Sequence, residues 1–566
     1  MRRRRRRHLP DRRRGAPSGH PVLTGGHHRT VAGRSPVGLS ARPRGAARAT
    51  MSAVRRAGRL AMTVGLVLPA LMTALVTFGI PVASATPEGD AATPFAAPPV
   101  WGGCAQWVAD PARIPTAQCG TLAVPVDWNN PDPQGAQAQL AVIRVPASGD
   151  RIGALFVNPG GPGASAVDTV AGMGAALAGT EIGQRFDLVG FDPRGVGHST
   201  PELRCRTDAE FDAYRREPMA DYSPAGVAHI ESLYQQLAQQ CLDRMGAPFL
   251  ANIGTASAVR DMDAVRAALG EHQISYLGFS YGTELGSAYA EAYPDRVRAM
   301  VLDGAIDPAL NPIDKTIRQM ASFQKAFDAY AADCGKLVGC PLGNDPAQYV
   351  NRFHQLVDPL VARPGATSDP RGLSYQDAIT GTGNALYSPR YWPFLTSGLL
   401  GLERGTDAED LLLLADDYQH RDRNGHYQNM QDAFTAIRCV DDVYPTDPAV
   451  WAEADRQIRE VAPFFAYGGF TGFAPRDVCA FWPVPATSTA RPVTGPGPGK
   501  VVVVSTTGDP ATPYQAGVDL ARQMGAALIS FDGAQHTVVF NGDACVDTAV
   551  LRFLTDLQSP PGNLAC

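Results

Sequence analysis

Ser280, Asp509 and His536 follow one another in this 566-residue chain in the order serine, acid, histidine. A serine hydroxyl is a weak nucleophile at neutral pH. It becomes effective when an imidazole takes its proton and a carboxylate fixes the tautomer and orientation of that imidazole, which is the chemistry of acyl transfer through a covalent intermediate. Ser280 is the centre of Gly278-Phe279-Ser280-Tyr281-Gly282. With 58 glycines in the chain, a Gly-x-Ser-x-Gly arises by chance roughly a few tenths of a time per sequence, so its context has to carry the weight. Asp509 stands in a turn after Val501-Val502-Val503-Val504-Ser505, and His536 in a turn after Ala527 to Phe531. His198 precedes the serine, whereas this order of residues puts the base last. Asp532 and Asp543 lie too close to the histidine turn to come from a separate strand end.

Acyl transfer also needs donors for the developing oxyanion. Pro159-Gly160-Gly161-Pro162-Gly163 follows the run Ala154 to Asn158. Pro162 has no N–H, so Gly161 is the expected donor from this loop, with the N–H of Tyr281 as the second. Asp192 and Arg194, in Phe191-Asp192-Pro193-Arg194-Gly195, are expected to pair with each other or to bond backbone and hold a loop.

These side chains must be held by a scaffold. Ile274 to Phe279 is an apolar run too short for a helix, and Leu285 to Ala292 reads as a helix ending before Pro294. The motif is therefore strand, tight turn, helix, with Gly278 and Gly282 leaving room for close approach. Further strands are expected at 120–126, 139–145, 154–158, 186–191, 299–303, 501–505 and 527–531, with Pro125 placing the first at a sheet edge. Short apolar strands alternating with helices predict an α/β class with a mostly parallel sheet. Between Asp303 and Val501 the rhythm stops and helix-like runs appear, such as 317–332 and 408–418. An insertion of that size predicts a separate domain over the cleft.

Charge is unevenly distributed. Residues 1–85 hold 17 arginines and one acidic residue, Asp11, out of 50 basic and 55 acidic residues in all, so the remainder is strongly acidic. Arg55, Arg56 and Arg59, the apolar stretch 60–80 and Ala83-Ser84-Ala85 have the layout of a secretory signal peptide cleaved after Ala85. This reading displaces a nucleic-acid-binding arm and implies no stable membrane insertion after cleavage; the alternative is that the stretch, long enough to span a membrane, stays uncleaved. Residues 1–85 are thus extension plus signal peptide, and 86–100 a linker or pro-segment, with structure expected from about Trp101. The ten cysteines, Cys104, Cys119, Cys205, Cys241, Cys334, Cys340, Cys439, Cys479, Cys545 and Cys566, are even in number and lack zinc-ligand spacing. Disulfides in an oxidising compartment are expected. Sequence leaves their connectivity open, and pairing of successive cysteines is the working expectation.

Taken together, several segments resemble the exported tripeptidyl aminopeptidases of actinobacteria, relatives of proline iminopeptidases. They are 158–163, Asp192-Pro193-Arg194-Gly195, Gly278 to Thr283, Ala436 to Asp441, Cys479 to Pro483, Asp509 to Pro513 and Gly533 to His536. The resemblance implies an α/β-hydrolase fold, with core segments 101–310 and 496–566 around a mainly helical cap at 311–495. It implies a serine exopeptidase that needs neither metal nor cofactor, releases short peptides from free N-termini, and uses Ser280, Asp509 and His536. One departure is that Asn158-Pro159 stands where the iminopeptidases have histidine. Asp441, Asp442 and Glu284 are the candidates to meet a substrate α-amine, though no motif fixes them. An esterase would use the same triad and differ only in the cap, and a catalytically dead surface-binding protein would need a broken triad.

Overall fold

The computed structural model describes Phe95 and residues 97–566. The expected extension and signal peptide, and most of the 86–100 linker, lie outside the described residues. The linker's end is already packed: Phe95 is buried and meets Trp128 edge-on at 5.7 Å, so structure begins earlier than the expected Trp101. Among the described residues no helix is long and apolar enough to cross a membrane.

Among the described residues nine strands form one sheet. They are β1 (Gln118–Pro125), β2 (Gln137–Val145), β3 (Gly153–Asn158), β4 (Phe186–Phe191), β5 (Ile274–Phe279), β6 (Val297–Asp303), β7 (Val501–Thr506), β8 (Ala527–Phe531) and β9 (Leu564–Ala565). Their spatial order is β1-β2-β4-β3-β5-β6-β7-β8-β9. The first two pairings are antiparallel, and from β4 onward every pairing is parallel. β1 is an edge strand, and Pro125 is its last residue, where a missing N–H costs no ladder bond on the outer side. Central strands are buried on both faces, which is why they read as continuous apolar runs. In β7, Val501 and Val503 join one core layer while Val502 and Val504 join the other, the two-residue period of a strand. β9 was not expected. It is two residues long, and its neighbour Cys566 is bonded to Cys545.

Between β6 and β7 lie the helices Pro312–Cys334, Tyr349–Val357, Tyr375–Leu386, Trp392–Arg404, Glu409–Tyr418, Met430–Asp441 and Pro448–Val461. Most of them share an aromatic core of their own, in which Phe327 stacks on Phe464 at 4.6 Å. Helix Met430–Asp441 instead packs Ala433, Ile437 and Val440 into the core of the sheet. A second helical piece enters between β4 and β5, as Asp208–Arg216 and Pro224–Met245. Arg215 on the first of these is buried and pairs with Asp377 at 2.8 Å and Asp416 at 2.7 Å, which ties this piece to the later helices. No periodicity in 208–245 announces that role, because it rests on a charge whose partners lie far along the chain.

Asp192 and Arg194 do not pair with each other. Arg194 is fully buried, donates to both oxygens of Asp261 at 2.6 and 2.8 Å, and also donates to the Pro125 and Asn252 carbonyls. Asp192 accepts from the N–H groups of Val167 and His198 and from Ser165 Oγ. Each therefore pins a different set of loops, and the expected backbone bonding holds while the mutual pair does not. The ten cysteines form five disulfides, 104–119, 205–241, 334–340, 439–479 and 545–566. These are the successive pairs of the working expectation.

Candidate active site

Ser280 sits between β5 and helix Tyr281–Ala292 with φ of 55°. A non-glycine residue there is strained, and its surroundings hold it. Its N–H donates to the Asp303 carbonyl at 2.9 Å, and its own carbonyl accepts from Thr283 N at 2.8 Å and Thr283 Oγ1 at 2.6 Å. The glycines are required by close approach: a Cβ on Gly278 would fall 2.4 Å from the Gly282 carbonyl, and one on Gly282 would fall 2.6 Å from the Asn158 carbonyl.

Asp509 lies in the turn after β7, with its side chain wholly buried. Its carboxylate accepts from Ala511 N, Thr512 N and Thr512 Oγ1, each at 2.9 Å. Both of its oxygens lie 2.9 Å from His536 Nδ1. That contact assigns the proton to Nδ1 and leaves Nε2 as the free imidazole nitrogen. The backbone N–H of His536 donates to the Tyr387 carbonyl, and the Tyr387 ring meets the imidazole edge-on at 5.3 Å. The helical insertion thus touches the histidine directly. Burial pushes the His536 imidazole down, but the charge and hydrogen bond of Asp509, with a further contribution from Asp303, outweigh it and raise the pKa above the usual 6.5.

Ser280 and His536 line one cavity of about 740 Å³, together with Gly161 and Tyr281. In the loop after β3, Gly160 N already donates to Asn158 Oδ1 at 3.0 Å, and Gly163 is pressed against the Met430 carbonyl. Gly161 is the glycine of this loop on the cavity wall. Tyr281 opens its helix, so its N–H has no acceptor within that helix. A Cβ on Gly160 would lie 2.9 Å from Tyr281 N, which measures how closely the loop and the turn approach.

The three acids proposed for amine binding meet on the same wall. Glu284 is one helical turn beyond Ser280, and among the described residues its carboxylate receives no hydrogen bond. Burial raises its pKa, with Lys315 opposing and Asp442 adding. Asp441 is buried and accepts from Thr255 N at 2.7 Å and Thr255 Oγ1 at 2.6 Å, capping helix Thr255–Ala268 from outside. Burial, then the charge of Glu284, push its carboxyl up to about 7. Asp442 accepts from Lys315 Nζ at 2.9 Å. Sequence reasoning missed Lys315, which stands on the first long helix of the insertion, and Thr255, which bonds both Asp441 and the Tyr281 hydroxyl. Nothing in the spacing of either gives a signal.

The remaining candidates lie elsewhere. His198 pairs with Asp168 at 3.1 Å, Asp532 accepts from Thr507 Oγ1, and Asp543 caps helix Ala544–Asp556. The cysteines are all in disulfides.

A family model described as the alpha/beta hydrolase fold matches residues 153–543. Carboxylesterase B of Mycobacterium tuberculosis is 65% identical over 511 residues, covering 88% of this chain and 98% of that protein. Serine protease Hip1 of the same organism is 54% identical over 459 residues, covering 80% and 87%. The tripeptidyl aminopeptidase of Streptomyces lividans is 32% identical over 466 residues, covering 79% and 83%. With this fold, and with these relatives aligned along most of their length, the chain belongs to the α/β-hydrolase family, in the group that includes the Streptomyces tripeptidyl aminopeptidase.

Proposed function

We propose that this protein is an exported serine exopeptidase that releases short peptides, tripeptides foremost, from free N-termini. Ser280 Oγ attacks the scissile carbonyl carbon while His536 Nε2 takes its proton and Asp509 holds the imidazole. The N–H groups of Gly161 and Tyr281 stabilise the oxyanion. Collapse of the tetrahedral intermediate breaks the C–N bond, and His536 returns the proton to the departing amine. Water, deprotonated by the same nitrogen, then hydrolyses the acyl-enzyme. Helices of 311–495 act as a cap over this cavity, and a roofed cleft admits a chain end more readily than a chain middle.

The observation that carries the exopeptidase reading is the Glu284 carboxylate on the cavity wall, which among the described residues receives no hydrogen bond and stands one turn from the nucleophile, with Asp441 and Asp442 beside it. Lys315 is already engaged by Asp442. Among the described residues of the cavity wall, Glu284, Asp307, Asp417, Asp441 and Asp442 stand against Lys315, Arg318 and Arg438, an acidic excess that suits a cationic α-amine. Five disulfides support passage through an oxidising compartment.

A second reading, a carboxylesterase, is favoured by the name of the 65% identical relative and by the apolar part of the same wall, Met320, Phe323, Ile379, Met430 and Phe434. Rates on matched free and N-acetylated peptide amides, beside p-nitrophenyl esters, separate the two. Acetylation should lower kcat/KM by about a hundredfold or more if the amine is paired in a desolvated site. Equal rates on free and blocked peptides would leave the esterase reading.

A further inference from the structure

Asp303 ends β6 and is fully buried. Its backbone touches the nucleophile, since its carbonyl accepts from Ser280 N at 2.9 Å. Its side chain touches the turn of the base, since Oδ2 accepts from Val538 N and from Val539 N, both at 2.8 Å. Between those amides and His536 stands Thr537 at φ of 61°, a β-branched residue in the left-handed region, where only an over-determined turn keeps it. The next residue, Gly304, lies against the imidazole: a Cβ there would be 3.1 Å from His536 Cε1 and 2.9 Å from Thr537 Cγ2.

Holding the turn requires only an acceptor, which a neutral asparagine would also provide. Yet Asp303 Oδ1 is buried and has no hydrogen-bond partner among the described residues, and burying a half-satisfied carboxylate is costly. A cost of that kind is retained where the charge itself is used. We propose that Asp303 is a positioning residue for the base, clamping the turn that carries His536 through Oδ2 and setting a second negative charge beside the imidazole. This rests on the assignment of His536 as base.

The charged groups facing the imidazole are Asp509, from the turn after β7, and Asp303, from the end of β6. Those facing Asp303 are His536 and Asp509. Burial pushes the Asp303 carboxyl up to about 6, against its two backbone hydrogen bonds and the charge of His536. Above that pH it is ionised and favours the imidazolium.

The test is the pH profile of kcat/KM on a p-nitrophenyl ester for the wild type, Asp303→Asn and Asp303→Ala. The asparagine keeps an acceptor for Val538 and Val539 but loses the charge, so the acid limb should move down by about one pH unit, with the melting temperature little changed. The alanine orphans two buried amides, so kcat should fall at least tenfold below that of the asparagine variant with KM little changed. In the wild type, amide hydrogen exchange at Val538 and Val539 should be slow, and this needs no variant to fold. An unmoved acid limb in Asp303→Asn, or exchange of those two amides at exposed-loop rates, overturns the proposal. His536→Ala tests the base separately: full activity there would sink that assignment, whereas an inactive His536→Ala beside an unmoved Asp303→Asn limb sinks only the role of Asp303.

Discussion

Replacing Glu284 by glutamine removes one charge and almost no volume from the cavity wall. A carboxylate and an ammonium about 4 Å apart interact by about 4 kcal/mol at an effective dielectric constant near 20. Lys315 donates its hydrogen bond to Asp442 and acts on Glu284 through charge alone, so the Glu284 carboxylate keeps its acceptor sites for the amine. Asp441 and Asp442 remain in the variant and retain part of the field. The expected loss is therefore about 2 to 3 kcal/mol, or about 30- to 150-fold in kcat/KM for a free peptide amide at pH 7. An ester without an amine never uses that contact, so its kcat/KM should change by less than about threefold. Burial raises the Glu284 pKa above its ordinary 4.5. A group raised in this way loses its charge earlier on acidification, so the wild-type preference for free over acetylated peptides should decay at a higher pH than an exposed glutamate would give. The glutamine variant should lose the part of that decay that Glu284 carries, while Asp441, pushed up to about 7 in the wild type, still titrates. Parallel loss on peptide and ester, or less than a threefold loss on the free peptide, would refute the assignment of Glu284.

Three further outcomes follow from the same structure. Because the neutral imidazole is the base and the folded pKa of His536 is raised, kcat/KM on an ester should climb with pH along a limb centred above about 6.5, and a limb below 6 would contradict the His536–Asp509 coupling. Asp261→Ala strands the fully buried Arg194 guanidinium and should destabilise the fold by about 3 to 5 kcal/mol in denaturant titration, while a loss under 1 kcal/mol would mean that the charge finds another partner. Replacing Cys439 and Cys479 by serine opens a link between residues 40 apart. That should cost about 4 kcal/mol by loop-closure entropy and should lower peptide turnover, since helix Met430–Asp441 forms part of the cavity wall; unchanged stability and turnover would show the link to be dispensable.

The strands and the reacting groups were legible because each leaves a local mark. Val501 to Val504 reads as a strand from β-branching alone, and Asp509 and His536 are found by standing just past strand ends. Glycine spacing around Ser280 records a steric need that the Cβ distances at Gly278 and Gly282 measure directly. What stayed hidden depends on long-range pairing. Arg194 was expected to pair with Asp192 or to bond backbone; it does bond backbone, but its charge partner is Asp261, 67 residues along the chain, because helix Thr255–Ala268 brings that acid to it. Lys315 and Asp442 are 127 residues apart in sequence, and neither carries a motif. Asp303 did end an expected strand, the same positional rule that picked out Asp509, and its bonds to Val538 and Val539 show that the rule had a second use.

The most direct measurement of the central claim is fluorophosphonate labelling followed by peptide mapping of the intact protein, for the wild type and Ser280→Ala. One adduct, on Ser280 Oγ, is expected, with no labelling in the variant. The variant should stay folded, with a loss of turnover on the order of 10⁶. An adduct on another residue, or a Ser280→Ala protein that keeps more than about a hundredth of wild-type activity, would contradict it.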